Sequence, residues 1–222
     1  MLAKTRTQTG VAFLSVAGQS LRIVDLPAAA GGDLERLPHI LRIILENALR
    51  SAGHDASRAK AAILEWLDSG QSQEEIPFLP GRVMMHDTTC GPALVDIAGM
   101  RASLAEAGHD PGRLNPVLPV DVSTDHSLAV DVFGVPDALR RNMEREFGRN
   151  AERYRFMKWA TRALTGVRIH PPGTGIMHTL NLERLATVVT TIAQDGVPWA
   201  MPDTLIGTDS HTPNAGGLAM IA

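Results

Sequence analysis

The chain has 222 residues, 44% of them hydrophobic and only 4% aromatic, with a formal net charge of −3. That length makes one large or two small domains, the aliphatic bias suits an α/β interior, and the acidic balance excludes a generally basic nucleic-acid surface. A single cysteine, Cys90, excludes an internal disulphide; no run reaches the length of a membrane span, and no signal peptide opens the chain, so a soluble cytoplasmic protein is expected.

Residues 1–36 contain two short strands, Ala12 to Val16 and Leu21 to Val24, followed by a flexible link from Ala28 to Gly32. A second region, 37–222, reads as one α/β domain. Leu37, Ile40, Leu41, Ile44 and Ala48 recur at helical spacing and predict a helix to about Ser51, with a shorter one from Ala56 to Asp68. A strand follows from Arg82 to His86. Pro92, placed in a first helical turn, opens a helix through Leu94, Ile97 and Leu104 that ends near Gly108. An apolar β-type stretch covers Pro119 to Ser123, and Asp137 to Leu164 reads as the longest helix. Pro171 to Met177 is too rich in proline and glycine for a helix. Thr187 to Ile192, Asp195-Gly196 and Val197 to Trp199 predict a β-hairpin. The chain closes with a strand at Thr204 to Ile206, a polar loop, and a helix started by Gly216-Gly217. Alternating strands and helices predict a layered α/β/α sandwich, a mixed sheet with flanking helices.

Four strand-to-loop junctions end in histidine with an acid or hydroxyl close by. They are His86-Asp87-Thr88, Asp125-His126-Ser127, His178, and the loop Asp209-Ser210-His211 that leads to Asn214. Histidine beside carboxylate is the usual device for moving protons near neutral pH. Strand ends in open α/β sheets are also where ligands bind. Taken singly, each group has a structural explanation. Asp209-Ser210-His211 could be a solvated loop, Asp125-His126 a buried pair at a strand end, and His178 a satisfied loop histidine. Cys90 reads as a small packing residue, and His39, His54, His109 and His170 as surface or structural groups.

Six collinear stretches change the weighing. They are Leu37-Pro38 with Leu41 to Arg50, Met85 to Met100, Asn115-Pro116 through Ser127, Arg155 to Trp159, Pro171 to His178, and Pro202-Asp203 through Asn214. In order and spacing they resemble the N-terminal part of the aconitase family, the iron–sulphur hydro-lyases that include the iron-responsive-element-binding proteins. The resemblance covers most of residues 37–218.

What it implies is an aconitate hydratase-like lyase that isomerises citrate, isocitrate or a related tricarboxylate through cis-aconitate, by loss and re-addition of water. The fold implied is that of the family's first domain. His126, backed by Asp125, matches the residue that protonates the departing hydroxyl. Asp209 and His211 match the pair that handles cluster-bound water, His178 a further active-site histidine, and Ser210 and Asn214 substrate-side positions. His86 departs from the pattern: many members carry glutamine there, facing a substrate carboxylate. A group able to carry charge at that position points towards a modified tricarboxylate of the 2-methylcitrate type.

The family holds a [4Fe–4S] cluster through three cysteine thiolates, and its catalytic base is a serine of the C-terminal domain. Neither set matches this chain, whose one cysteine is not at a ligand position. No metal ligand is therefore expected within these residues. The expectation is an N-terminal fragment or one chain of a split enzyme, inactive alone, whose partners are the remaining aconitase domains or a second chain. A stand-alone interaction or regulatory module is the alternative. The intact catalytic matches and the acidic balance weigh against an RNA-binding relative.

Overall fold

The structure, a computed structural model, describes residues 3–6, 10–51, 53–124, 129–172, 185–194, 196–218 and 220–222. They divide into two compact units. The first comprises residues 1–79, 187–203 and 221, and the second 80–186, 204–220 and 222.

The first unit is built on a five-stranded sheet. Strands β1 (Ala3–Arg6), β2 (Val11–Val16) and β3 (Gln19–Val24) form an antiparallel meander. Val16 pairs with Gln19, which leaves a two-residue turn with Ala17 at φ 48° and Gly18 at φ 80°. Two positive φ values in a row define the turn whose twist matches the strands, and glycine adopts one of them without strain. Helices α1 (Leu26–Ala30), α2 (His39–Ser51) and α3 (Ala56–Ser69) follow. The stretch expected to be a flexible link is therefore helical. Alanine is the best helix former, Pro27 fits a first turn, and residues 31–35 continue as a 3₁₀ turn. Leu37, Leu45 and Ile63 form a core between α2 and α3, with Leu41, Ile44 and Leu67 against it.

The predicted hairpin is present within this unit. After helices and strands of the second unit, the chain returns and pairs Gln194 with Val197 in antiparallel register. These two strands, Val189–Gln194 and Val197–Pro202, are numbered β7 and β8 below. The later strand runs parallel to β3 at Arg22 and Trp199, giving the mixed sheet the order β1-β2-β3-β8-β7.

The second unit carries the site. Its four strands, β4 (Arg82–His86), β5 (Val120–Ser123), β6 (Val167–His170) and β9 (Leu205–Gly207), are all parallel in the order β6-β5-β4-β9. Strand β6 was not anticipated from the sequence. Helices α4 (Asp87–Glu106), α5 (Ala138–Arg149) and α6 (Ala151–Ala163) complete it. Every residue of β5 is buried, as a parallel strand covered on both faces requires. Val120 and Val122 face Cys90 and Leu94 of α4 and Met157 and Ala160 of α6. Met84 packs with Leu185, Leu205, Ala215 and Met220 in a separate cluster. This is the layered α/β arrangement the alternating pattern predicts.

Three helix expectations need correction. First, α4 begins at Asp87, and Pro92 lies inside it. An acidic side chain at a first helical position complements the helix dipole, and a proline this close to the N-terminus removes only one intrahelical bond. Second, the stretch from Asp137 to Leu164 is two helices separated at Asn150, so α4, at 20 residues, is the longest described. Glu146 is buried at this break, where its Oε1 accepts from Asn150 Nδ2 at 2.8 Å and from the Tyr154 hydroxyl at 2.6 Å. Third, residues Thr212–Leu218 form a 3₁₀ turn that starts four residues before Gly216. Among the described residues, no helix is long and apolar enough to cross a membrane.

Candidate active site

The C-terminal ends of parallel strands β4 and β9 lie side by side; β4 closes on His86 and runs straight into α4, while β9 releases a loop that carries His211. Thr208 N–H donates to Met84 O at 3.1 Å, which extends the ladder one residue past β9. Between the first turn of α4 and the loop after β9, the Thr89 and Thr208 hydroxyl oxygens are 2.5 Å apart, and Thr89 Oγ1 also donates to His86 O at 3.1 Å. These hydroxyls tie the loop after β9 to the start of α4. Sequence reasoning missed them, because a threonine staple has no signature until the strand order is known.

Asp209 is the hub of the site. Its Oδ1 accepts from the His211 backbone N–H at 2.9 Å and lies 3.2 Å from His211 Nδ1, while Ser210 Oγ is 3.3 Å from the same ring nitrogen. Its Oδ2 is 3.7 Å from His86 Nε2. Thr88 Oγ1 contacts His86 Nδ1. The Asp209 side chain is 7% exposed and that of His211 is 48% exposed. A buried carboxylate thus orients an imidazole that faces solvent, which is the arrangement of a proton-transfer pair. Asn214 is exposed on the following turn, its N–H donating to His211 O at 3.0 Å.

So His86, Asp209, Ser210, His211 and Asn214 are gathered at one sheet edge. Asp125, His126 and His178 lie outside the described residues. The chain leaves β5 at this same edge: Ser123 is fully buried, and Thr124 N–H donates to His170 O at 3.2 Å.

Two neighbouring acids are structural. Asp87, 2% exposed, is held by Arg153 Nη1 at 2.9 Å, which ties the start of α4 to α6. Asp121 is buried at the centre of the sheet. Its Oδ2 accepts from Arg82 Nη1 at 2.9 Å and Arg168 Nη2 at 2.8 Å, and its Oδ1 is 3.0 Å from His170 Nε2. Burial alone would raise this carboxyl, yet the hydrogen bonds from His170, Arg82 and Arg168 outweigh it and hold the group well below the usual carboxylate range. His170 is accordingly a structural group, as expected. Cys90 is fully buried, and burial, helped by the Asp87 carboxylate and opposed by Arg153, pushes its thiol up to about 12. It is a packing residue.

Comparison with known proteins identifies relatives of the chain. The model of the aconitase family (aconitate hydratase) matches residues 60–222. Aconitate hydratase A of Pseudomonas aeruginosa is 45% identical over 214 residues, covering 94% of this chain and 23% of that protein. Its counterpart in Rickettsia felis is 42% identical over 223 residues, covering 99% and 25% respectively. That of Bacillus subtilis is 42% identical over 192 residues, covering 86% and 21%. The chain therefore spans about a quarter of the length of these curated relatives. With most of its length inside the family match and relatives above 40% identity, the chain belongs to the aconitase family.

Proposed function

We propose that these residues form the acid-side part of the active site of an aconitase-like hydro-lyase. Its substrate is a tricarboxylate that loses and regains water through a cis-aconitate-type intermediate. The observation that carries this reading is the Asp209–His211 pair, 3.2 Å apart at the C-terminal edge of a parallel sheet and beside His86. Departure of hydroxide from carbon requires a proton, and an imidazole oriented by a carboxylate supplies one near neutral pH. In this reading His126, backed by Asp125, protonates the leaving hydroxyl. Asp209 and His211 manage the proton of the water, His178 is a further active-site histidine, and Ser210 and Asn214 bind the substrate's polar end.

A [4Fe–4S] cluster belongs to the complete protein in this proposal, and the residues of this chain do not fit it. Cluster iron takes thiolates, whereas the one thiol here is buried and pushed up to about 12. Among the described residues, no group of three or more His, Cys, Asp or Glu side chains could hold a metal ion. The ligands and the catalytic base come from the family's remaining length, and those remaining domains or a second chain are the expected partners. A single cysteine accords with a cytoplasmic setting.

The test is a cis-aconitate hydration assay on the full-length protein and on the 222-residue chain. Turnover is expected from the first and none from the second. Activity of the short chain alone, or no turnover of any tricarboxylate by the full-length protein, would overturn the reading.

A further inference from the structure

Helix α4 is apolar on two sides. Cys90 and Leu94 lie in the core with Ile97 against them, whereas Val95 and Met100, on the opposite side, are 54% and 50% exposed. A surface helix with one partner needs one apolar stripe; apolar residues on both sides mark a helix covered on both. Along the outer side runs an open groove of about 1000 Å³, lined by Val95, Gly99, Met100 and Leu104 of α4 and by Leu114. Val117, three residues past Leu114, is 95% exposed. The wall opposite the helix is already fixed. Arg101 Nη1 donates to Leu114 O at 2.6 Å, Asp110 Oδ1 accepts from Gly112 N–H at 2.8 Å, and Asn115 Oδ1 accepts from Thr165 N–H at 2.9 Å. Exposed aliphatic side chains gathered round a preformed concavity are the mark of an interaction surface.

We propose that this groove is the docking surface for the remaining length of the same polypeptide, whose apolar side chains cover Val95, Met100, Leu114 and Val117. The chain spans about a quarter of the length of its relatives, so a body some three times its size is available as the occupant. The position of the groove favours that occupant. Helix α4 starts at Asp87, directly after His86, and the groove begins at Val95, eight residues on and so about 12 Å along the axis. A body that completes the site at the head of α4 thereby also reaches the groove. This choice of occupant rests on the reading that the remaining length supplies the cluster ligands and the base; the test below does not depend on activity.

The test is hydroxyl-radical footprinting of the 222-residue chain and of the full-length protein, with oxidation of Met100 read by mass spectrometry. A methionine oxidises as solvent reaches it, so Met100 should react at least about fivefold more slowly in the full-length protein. In the 222-residue chain its rate should not change with protein concentration. A charge in the groove gives a second readout. A Cβ at Gly99 would meet nothing within 4 Å, so Gly99→Glu should leave the urea midpoint of the 222-residue chain no lower than that of the wild type. In the full-length protein the same charge would be buried against apolar groups, and Met100 oxidation should rise at least about threefold. Equal oxidation of Met100 in the two wild-type proteins would overturn the proposal. So would protection in the 222-residue chain that grows with its concentration, because a second copy would then be the occupant. A full-length protein with Met100 protected but inactive on every tricarboxylate would uphold the docking surface and overturn the hydro-lyase reading instead.

Discussion

At Gly207 the site has no room for a methyl group. A Cβ there would sit 2.1 Å from Thr212 Oγ1, 2.4 Å from its Cγ2 and 2.7 Å from its Cβ. Thr212 is β-branched and 3% exposed, and its N–H donates to Asp209 O at 3.1 Å, closing the turn that carries Asp209, Ser210 and His211. Gly207→Ala should therefore displace that turn while leaving the sheet intact. Since a misplacement of about 1 Å can cost about 10²-fold in rate, kcat of the full-length protein should fall by that order with an unchanged circular-dichroism spectrum. Wild-type kcat would contradict the role given to this glycine. The run Asp209-Ser210-His211 was legible as chemistry because acid and imidazole adjoin at the end of an apolar strand. The need for Gly207 was not, because it depends on where Thr212 folds back. The threonine staple between Thr89 and Thr208 was hidden for the same reason, the two residues being 119 positions apart.

Among the elements, β4, β5 and β6 are joined by side chains as well as by their ladder. Asp121 on β5 pairs with Arg82 on β4 and with Arg168 and His170 on β6. Asp121→Asn would remove the carboxylate that Arg82, Arg168 and His170 share, and taking one member out of a buried ion cluster typically costs about 3–5 kcal/mol. A matching fall in the urea midpoint of the 222-residue chain should be seen at pH 7. The pH dependence follows from the lowered carboxyl. A group whose folded value lies below its unfolded one stabilises the fold above the unfolded range, near about pH 4, and loses that contribution as pH falls further. The gap between wild type and Asp121→Asn should accordingly be full at pH 7 and close progressively below about pH 4. A gap that widened on acidification would contradict the assignment. This charged cluster also explains why β6 was illegible: in Val167–His170 two of four residues are charged or titratable, and their apparent polarity masks a strand whose arginine and histidine serve Asp121. The strands Arg82–His86 and Val120–Ser123, by contrast, were readable from their apolar runs. Periodicity showed that residues 138–163 are helical, but the break at Asn150 depends on the buried Glu146 that gathers Asn150 and Tyr154.

For the whole molecule, chain order conceals the division into units. Residues 187–203 return to the first unit, where β8 pairs with β3 at Arg22 and Trp199, a pairing that local pattern cannot announce. The hairpin itself was legible from Asp195-Gly196, and the layered α/β class from the alternation of elements. At this scale the chain, with its single cysteine, lacks a thiolate set. Anaerobic reconstitution of the 222-residue chain with iron and sulphide should leave no stable cluster absorbance, because the one thiol is fully buried and pushed up to about 12. A stoichiometric cluster on this chain would contradict that. The most direct measurement on the hydro-lyase reading is kcat for cis-aconitate hydration by the full-length protein carrying His211→Ala. Loss of an oriented acid–base group should lower it by about 10²–10⁴-fold while KM changes far less. A fall of less than about tenfold would show that the Asp209–His211 pair does not carry the proton chemistry.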